Sequence, residues 1–151
     1  NAGENRQESV YNGLKEAEKY LQSEDVVLIH DAARPNITDD IISDVLDLKE
    51  YDGVMPAIPV KDTIYMADNN HIIDTLNRDI LYAGQSPESY RFGPYLRINK
   101  EASKEVLAKT RGSSEIAVKN GMNIKIVMGN SSNYKITTKN DLKRFEEEME
   151  K

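Results

Sequence analysis

The 151-residue chain predicts an α/β fold, with helices alternating with the strands of a mostly parallel sheet and a β-hairpin protruding from it. Three observations lead there. Val26-Val27-Leu28-Ile29 is an unbroken apolar, largely β-branched run, the pattern of a central strand buried on both faces of a parallel sheet. Amphipathic helical stretches stand on either side of it, which suits βαβ units. Thr63-Ile64-Tyr65-Met66 and Ile72-Ile73-Asp74-Thr75-Leu76 flank Ala67-Asp68-Asn69-Asn70-His71, a cluster of turn formers, so these strands pair as a hairpin.

The elements follow in order. Asn1 to Asn5 reads as loop rather than as the natural start of a globular domain. Ser9 to Gln22 carries Val10, Leu14, Ala17 and Leu21 at helical spacing. After the Val26 strand, Thr38 can cap a second helix, with Asp39 and Asp40 favouring its first turn and Ile41, Ile42, Val45, Leu46 and Leu48 forming its stripe. Val54 to Val60 is another inner strand, made irregular by Pro56 and Pro59. The hairpin has too little core to stand alone, so it is expected to pack against another subunit; His71 at its tip reads as a solvated turn residue. Tyr90 to Lys109 is mostly helix, broken near Gly93-Pro94. Glu115 to Asn120 is a short helix closed by Gly121, Asn123 to Met128 a strand, and Asn140 to Glu150 a last helix with Leu142 and Phe145 inward. The chain reads as a single domain over residues 1–151 with an arm at 61–78.

Composition narrows the function. At 38% hydrophobic and 30% charged residues the chain is globular, and no apolar run approaches the length of a membrane-spanning helix. It has no cysteine, which excludes disulfides, thiol catalysis and Cys-based metal sites and fits a cytoplasmic protein. A formal charge of −6 argues against a nucleic-acid partner but leaves small phosphorylated ligands open.

His30, Asp31 and Arg34 fall just past the carboxyl end of the Val26 strand, where open α/β sheets bind ligands. Asp31 and Arg34 suit a site for phosphates and a metal; an Asp–Arg pair that merely holds a tight turn fits the spacing equally well. Lys61-Asp62-Thr63, Arg78, Gln85-Ser86 and Lys135 also sit at expected strand ends or loops. Taken singly, each Lys or Arg reads as a solvated surface charge. Together, cations, hydroxyls and a carboxylate without a Ser-His-Asp order or a His cluster suit phosphoryl or nucleotidyl transfer.

Five motifs in order carry a more specific resemblance: Gly3-Glu4-Asn5-Arg6-Gln7-Glu8-Ser9-Val10, His30-Asp31-Ala32-Ala33-Arg34-Pro35, Pro59-Val60-Lys61-Asp62-Thr63-Ile64, Gln85-Ser86-Pro87, and Asn133-Tyr134-Lys135-Ile136-Thr137-Thr138 with Asp141-Leu142. The chain resembles the 2-C-methyl-D-erythritol 4-phosphate cytidylyltransferases and the related ribitol-5-phosphate cytidylyltransferases over essentially its whole length. The resemblance implies a Rossmann-like, three-layer fold of nucleotidyltransferase type whose hairpin is a dimerisation arm. It implies cytidylyl transfer from CTP to a polyol phosphate, with Mg²⁺ or another divalent cation, in a cytoplasmic homodimer. By position, Gly3, Glu4, Arg6, Ser9, Asp31, Ala32 and Lys135 would bind CTP. Arg34, Asp62, Thr63, Arg78 and Ser86 would hold the polyol phosphate, partly across the dimer interface. Asp31, Arg78 and Lys135 would be catalytic, and Asp31 the metal ligand.

The chain departs from the family pattern in three places. The family's glycine-rich nucleotide loop, with its essential Arg and Lys, does not occur, so a fragment inactive by itself is expected. Arg111-Gly112-Ser113-Ser114-Glu115 stands where Thr-Asp is usual, and Ser86-Pro87-Glu88 replaces Thr-Pro-Gln. Both border the acceptor pocket. Pro59 to Thr63 leans to the methylerythritol enzymes and Tyr82-Ala83-Gly84-Gln85 to the ribitol ones. A non-catalytic nucleotide-binding or dimerisation module is the competing class. A sugar-nucleotide glycosyltransferase would want an Asp-x-Asp motif after a strand, and none occurs there.

Overall fold

A computed structural model describes residues 2–150. The expected domain also takes in Asn1 and Lys151, which lie outside the described residues.

Helix α1 spans Arg6–Ala17 and starts earlier than its apolar stripe suggests, because the Asn5 side chain accepts the Glu8 N–H at 2.9 Å and fixes the first turn. Strand β1 is Val26–Ile29, helix α2 Asp39–Leu46 and strand β2 Gly53–Pro59. Strands β3 (Ile64–Asp68) and β4 (His71–Leu76) form the hairpin. Asn69 and Asn70 close it at φ 45° and 65°, the left-handed conformation that asparagine tolerates in a two-residue hairpin turn. A 3-10 turn at Arg78–Ile80 leads to β5 (Tyr82–Gly84) and β6 (Glu88–Arg91), joined through a cis Ser86–Pro87 bond. Helices α3 (Phe92–Glu101), α4 (Lys104–Lys109) and α5 (Ser113–Lys119), strand β7 (Ile124–Met128) and helix α6 (Lys139–Met149) complete the chain.

The main sheet is mixed. Strand β2 pairs parallel with β7 on one side and antiparallel with β5 and β6 on the other, and β6 pairs antiparallel with β1. Strands β1, β2 and β7 therefore share one direction, while β5 and β6 run the other way as two segments of a broken strand along β2. Helices cover both faces, which makes three layers. On one face Leu14, Tyr90, Phe92, Tyr95, Ile98 and Ile116 form the larger core, with Val27 and Ile29 of β1 against it. On the other, Ile41, Val45 and Leu48 pack on Val54 and Val127. The β3–β4 hairpin makes its own two-stranded sheet and leaves Tyr65, Ile72 and Ile73 more than half exposed. Among the described residues, no helix is long and apolar enough to cross a membrane.

Three expectations need correction, and one stretch holds strands that no local pattern announces. Strand β1 is not buried on both faces: it lies at the sheet edge among the described residues, and Val26 and Leu28 are exposed because α2, on that face, packs on β2, β6 and β7 instead. Residues 82–91 carry two strands that the polar, small composition there conceals; neighbours on β1 and β2 impose them. Tyr90 consequently belongs to β6, and the helical stretch breaks at Ala102-Ser103 rather than at Gly93-Pro94. Pro94 sits in the first turn of α3, where no N–H is required of it, and Gly93 packs so closely that an added Cβ would meet Ser23 Oγ at 2.1 Å. Finally, Leu142 is exposed on α6, which makes polar contacts instead: Glu148 accepts the Tyr134 hydroxyl at 3.0 Å.

Candidate active site

The charged site forms where the ends of β1, β5 and β7 converge. Asp31 follows β1, and its backbone N–H donates to Ser86 Oγ at 3.0 Å, which fixes it against the β5–β6 bend. His30 turns its ring between the two elements, Nδ1 at 3.3 Å from Ser86 Oγ and Nε2 at 3.1 Å from the Arg34 carbonyl. The loop after β7 is clamped to the same place. Gln85 Nε2 donates to the Asn130 carbonyl and its Oε1 accepts the Asn130 N–H. The Asn133 carbonyl accepts from Arg34 Nη1 at 2.6 Å, and the Asn133 Nδ2 donates to the Ser86 carbonyl at 2.9 Å. The Ile136 N–H then donates to the Ala33 carbonyl at 2.8 Å. These bonds bring Lys135 beside Asp31, 104 residues away in the chain.

Three cations surround the Asp31 carboxylate. Lys135 Nζ donates to Oδ2 at 3.0 Å, Arg6 Nη2 to Oδ1 at 3.1 Å, and Arg34 Nε stands 4.0 Å from Oδ2. Burial pushes the Asp31 carboxyl up, but the hydrogen bonds and charges of Lys135 and Arg6 together outweigh it and hold the group below its ordinary value. Burial also lowers the Arg34 guanidinium, against the pull of Asp31 and Glu88. Arg34 Nε is a buried donor that lacks a hydrogen-bond partner among the described residues and stands toward the Asp31 carboxylate. The cluster lines a cavity of about 240 Å³ with Ser86, Glu88 and Ser114.

The structure thus brings together Arg6, Asp31, Arg34, Ser86 and Lys135 of the expected site. Gly3, Glu4 and Ser9 stay at the start of α1 outside this cavity, with the Gly3 N–H donating to Ser9 Oγ at 2.9 Å and the Glu4 N–H to Glu8 Oε2 at 2.7 Å. Ala32 is exposed in the loop after Asp31. Asp62, Thr63 and Arg78 are not in the cavity. They lie at the root of the hairpin, where Arg78 Nη1 donates to the Lys61 carbonyl at 2.7 Å and Lys61 and Asp62 edge a separate groove of about 590 Å³. Sequence reasoning missed Glu88, Ser114 and Asn133. Glu88 and Ser114 fall in the two departures from the family pattern, so the signal was present; Asn133 was inside a quoted motif but had no role.

A three-layer mixed α/β sheet with a cation-ringed carboxylate at its strand ends is the architecture of an open α/β protein whose site lies at the strand ends. The whole chain, residues 1–151, matches the family model "IspD: 2-C-methyl-D-erythritol 4-phosphate cytidylyltransferase", and the chain belongs to that family. It is 39% identical over 142 residues to the 2-C-methyl-D-erythritol 4-phosphate cytidylyltransferase of Clostridium beijerinckii, covering 93% of this chain and 61% of that one. It is 37% identical over 145 residues to the bifunctional enzyme IspD/IspF of Gluconobacter oxydans, covering 95% of this chain and 36% of that one. The crystal structure of the Francisella tularensis 2-C-methyl-D-erythritol 4-phosphate cytidylyltransferase superposes with a TM-score of 0.88 at 30% identity, over 97% of this chain and 69% of that one. The chain spans about three fifths of the length of single-function relatives such as that of Geobacter metallireducens (60%).

Proposed function

We propose that the protein to which this chain belongs transfers the cytidylyl group of CTP to a polyol phosphate, 2-C-methyl-D-erythritol 4-phosphate by the family's name, giving a CDP-polyol and pyrophosphate. The observation that carries the reading is the Asp31 carboxylate ringed by Arg6, Arg34 and Lys135 at the strand ends. A phosphate oxygen of the acceptor attacks the α-phosphorus of CTP in line. The P–O bond to the β-phosphate breaks, and its electron pair leaves with pyrophosphate. A phosphate dianion needs little help from a base, so positioning and charge neutralisation dominate.

Within that reading, Lys135 and Arg6 meet the charge that builds on the triphosphate, and Asp31 orients both. Arg34 and Ser86, which line the cavity, hold the acceptor phosphate. Gly3, Glu4, Ser9 and Ala32 border the nucleotide. Asp31 is the carboxylate that would hold a divalent cation of the Mg²⁺ type in this reading, in exchange for its bonds to Arg6 and Lys135; such a cation takes one or two carboxylates and completes its shell with phosphate oxygens. Bound there, it would add positive charge against the triphosphate.

Asp62, Thr63 and Arg78 serve a neighbouring subunit in this reading. The exposed apolar side chains of the hairpin support a homodimer built through residues 61–78, each arm carrying Thr63 and Arg78 toward the partner's acceptor. The work is done by one domain, in the cytoplasm, without nucleic acid or membrane. Ribitol 5-phosphate is the second acceptor, favoured by Tyr82-Ala83-Gly84-Gln85.

The test is pyrophosphate release from CTP and Mg²⁺ by the complete protein, with methylerythritol phosphate, ribitol 5-phosphate and glycerol phosphates in turn. Release that depends on one acceptor is the expected result. A folded protein silent with all of them, and without affinity for CTP, would sink the enzyme reading in favour of a non-catalytic module.

A further inference from the structure

The cavity has two poles. At one, Arg34 and Lys135 offer cations to a phosphate. At the other lies Glu88 of β6, a carboxylate only 6% exposed to which the reaction above gives no part. A carboxylate so buried needs partners, and it has them on one oxygen. Ser114 Oγ donates to Oε2 at 2.7 Å, and the Tyr90 hydroxyl donates to the same Oε2. Burial and the Glu88 charge push the Tyr90 phenol far up, so it stays a donor. Oε1 differs: its charged neighbour is Arg6 Nη2 at 3.8 Å, beyond hydrogen-bond distance. The bonds to Oε2 thus hold the side chain still while Oε1 keeps acceptor capacity beside the cavity. The two departures from the family pattern, at 86–88 and 111–115, meet in the Glu88–Ser114 bond.

We propose that Glu88 is a specificity-determining residue of the acceptor pocket, its Oε1 accepting a hydrogen bond from a hydroxyl of the polyol phosphate whose phosphate faces Arg34 and Lys135. The inference rests on the functional reading above. A fixed carboxylate there favours a molecule with one anionic end and one hydroxyl-bearing end. An acceptor lacking that hydroxyl leaves the buried Oε1 without a hydrogen bond, and a second phosphate at that end meets repulsion.

The experiment is equilibrium binding of the preferred polyol phosphate and of its single-deoxy analogues to the complete protein, by calorimetry, beside Glu88→Gln and Ser114→Ala. In Glu88→Gln the two hydroxyl donors draw the amide oxygen to the Oε2 position and leave an NH₂ group in place of Oε1. One deoxy analogue is expected to bind the parent protein about 10- to 100-fold more weakly than the full polyol. That ratio is expected to fall at least about tenfold in Glu88→Gln while CTP affinity holds within about twofold. Ser114→Ala, which keeps the carboxylate and loosens it, is expected to shift the ratio the same way by about threefold. An unchanged ratio in both variants would make Glu88 a structural group. A loss of CTP affinity with an unchanged ratio would make it a support for Arg6 instead. Binding does not need turnover: a protein that binds the polyol and discriminates through Glu88 but transfers nothing would refute the reaction and leave this inference standing. A protein that binds no polyol phosphate would end both.

Discussion

Replacing Lys135 with alanine separates the chemistry of the site from its stability. Lys135 is 41% exposed and pairs with Asp31 at 3.0 Å. At that exposure solvent screens the pair and side-chain entropy offsets it, so its loss costs about 0.5–1 kcal/mol of stability. For a chain of this size that is about 1–4 °C in melting temperature. The neighbours absorb the change, because Arg6 still donates to Asp31 at 3.1 Å and Arg34 remains 4.0 Å away. The effect on the reaction is of another order. Removing one fixed donor aimed at developing charge costs about 10²- to 10³-fold in kcat, or about 3–4 kcal/mol. The assay is pyrophosphate release at saturating CTP beside a thermal melt of the same preparation. Turnover within a few-fold of the parent would remove Lys135 from the mechanism. A melting temperature lowered by more than about 10 °C would show that the lysine is a structural member, contrary to its exposure.

Three further outcomes are expected. Ile73→Lys combined with Tyr65→Lys, both at exposed arm positions, should leave the fold intact and shift the sedimentation profile from dimer toward monomer; an unaltered dimer would refute the arm assignment. Asp31 is held below its ordinary value of 3.8 in the folded protein, so it stabilises the fold above that pH and the contribution fades as pH falls through the lowered value. Acid unfolding of Asp31→Asn should accordingly be less steep below about pH 4 than that of the parent, and identical curves would contradict the ion cluster. Ile116→Ala, in the larger core at 1% exposure, should cost about 2–5 kcal/mol in denaturant unfolding without touching the site; a cost under about 1 kcal/mol would mean that α5 does not seal that core.

Elements governed by their own residues were legible. The α1 and α2 stripes, the Val26 and Ile124 strands, the hairpin and the helix stop at Gly121 (φ +79°) all follow from local pattern. What escaped is set by neighbours. Residues 82–91 become strand because β1 and β2 present open edges to them, and no periodicity announces that. The run Val26–Ile29 looked buried on both sides because apolar sequence does not say which face is covered. At the site, the quoted motifs located Asp31, Arg34, Ser86 and Lys135. They could not show that Asn133 and Gln85 lock Lys135 in place, since those bonds join loops 45 to 47 residues apart. Nor could they show that Arg78, matched as catalytic, lies at the hairpin root with its guanidinium on the Lys61 carbonyl.

Whether the Asp31 cluster joins a cytidylyl group to a polyol phosphate is read most directly from the phosphorus NMR spectrum of the reaction mixture. With the complete protein, CTP, Mg²⁺ and the acceptor, the expected spectrum shows two mutually coupled diphosphate signals of a CDP-polyol growing in step with pyrophosphate, and neither growing in Asp31→Asn. Free CMP or inorganic phosphate in place of the coupled pair, or equal product from Asp31→Asn, would contradict it.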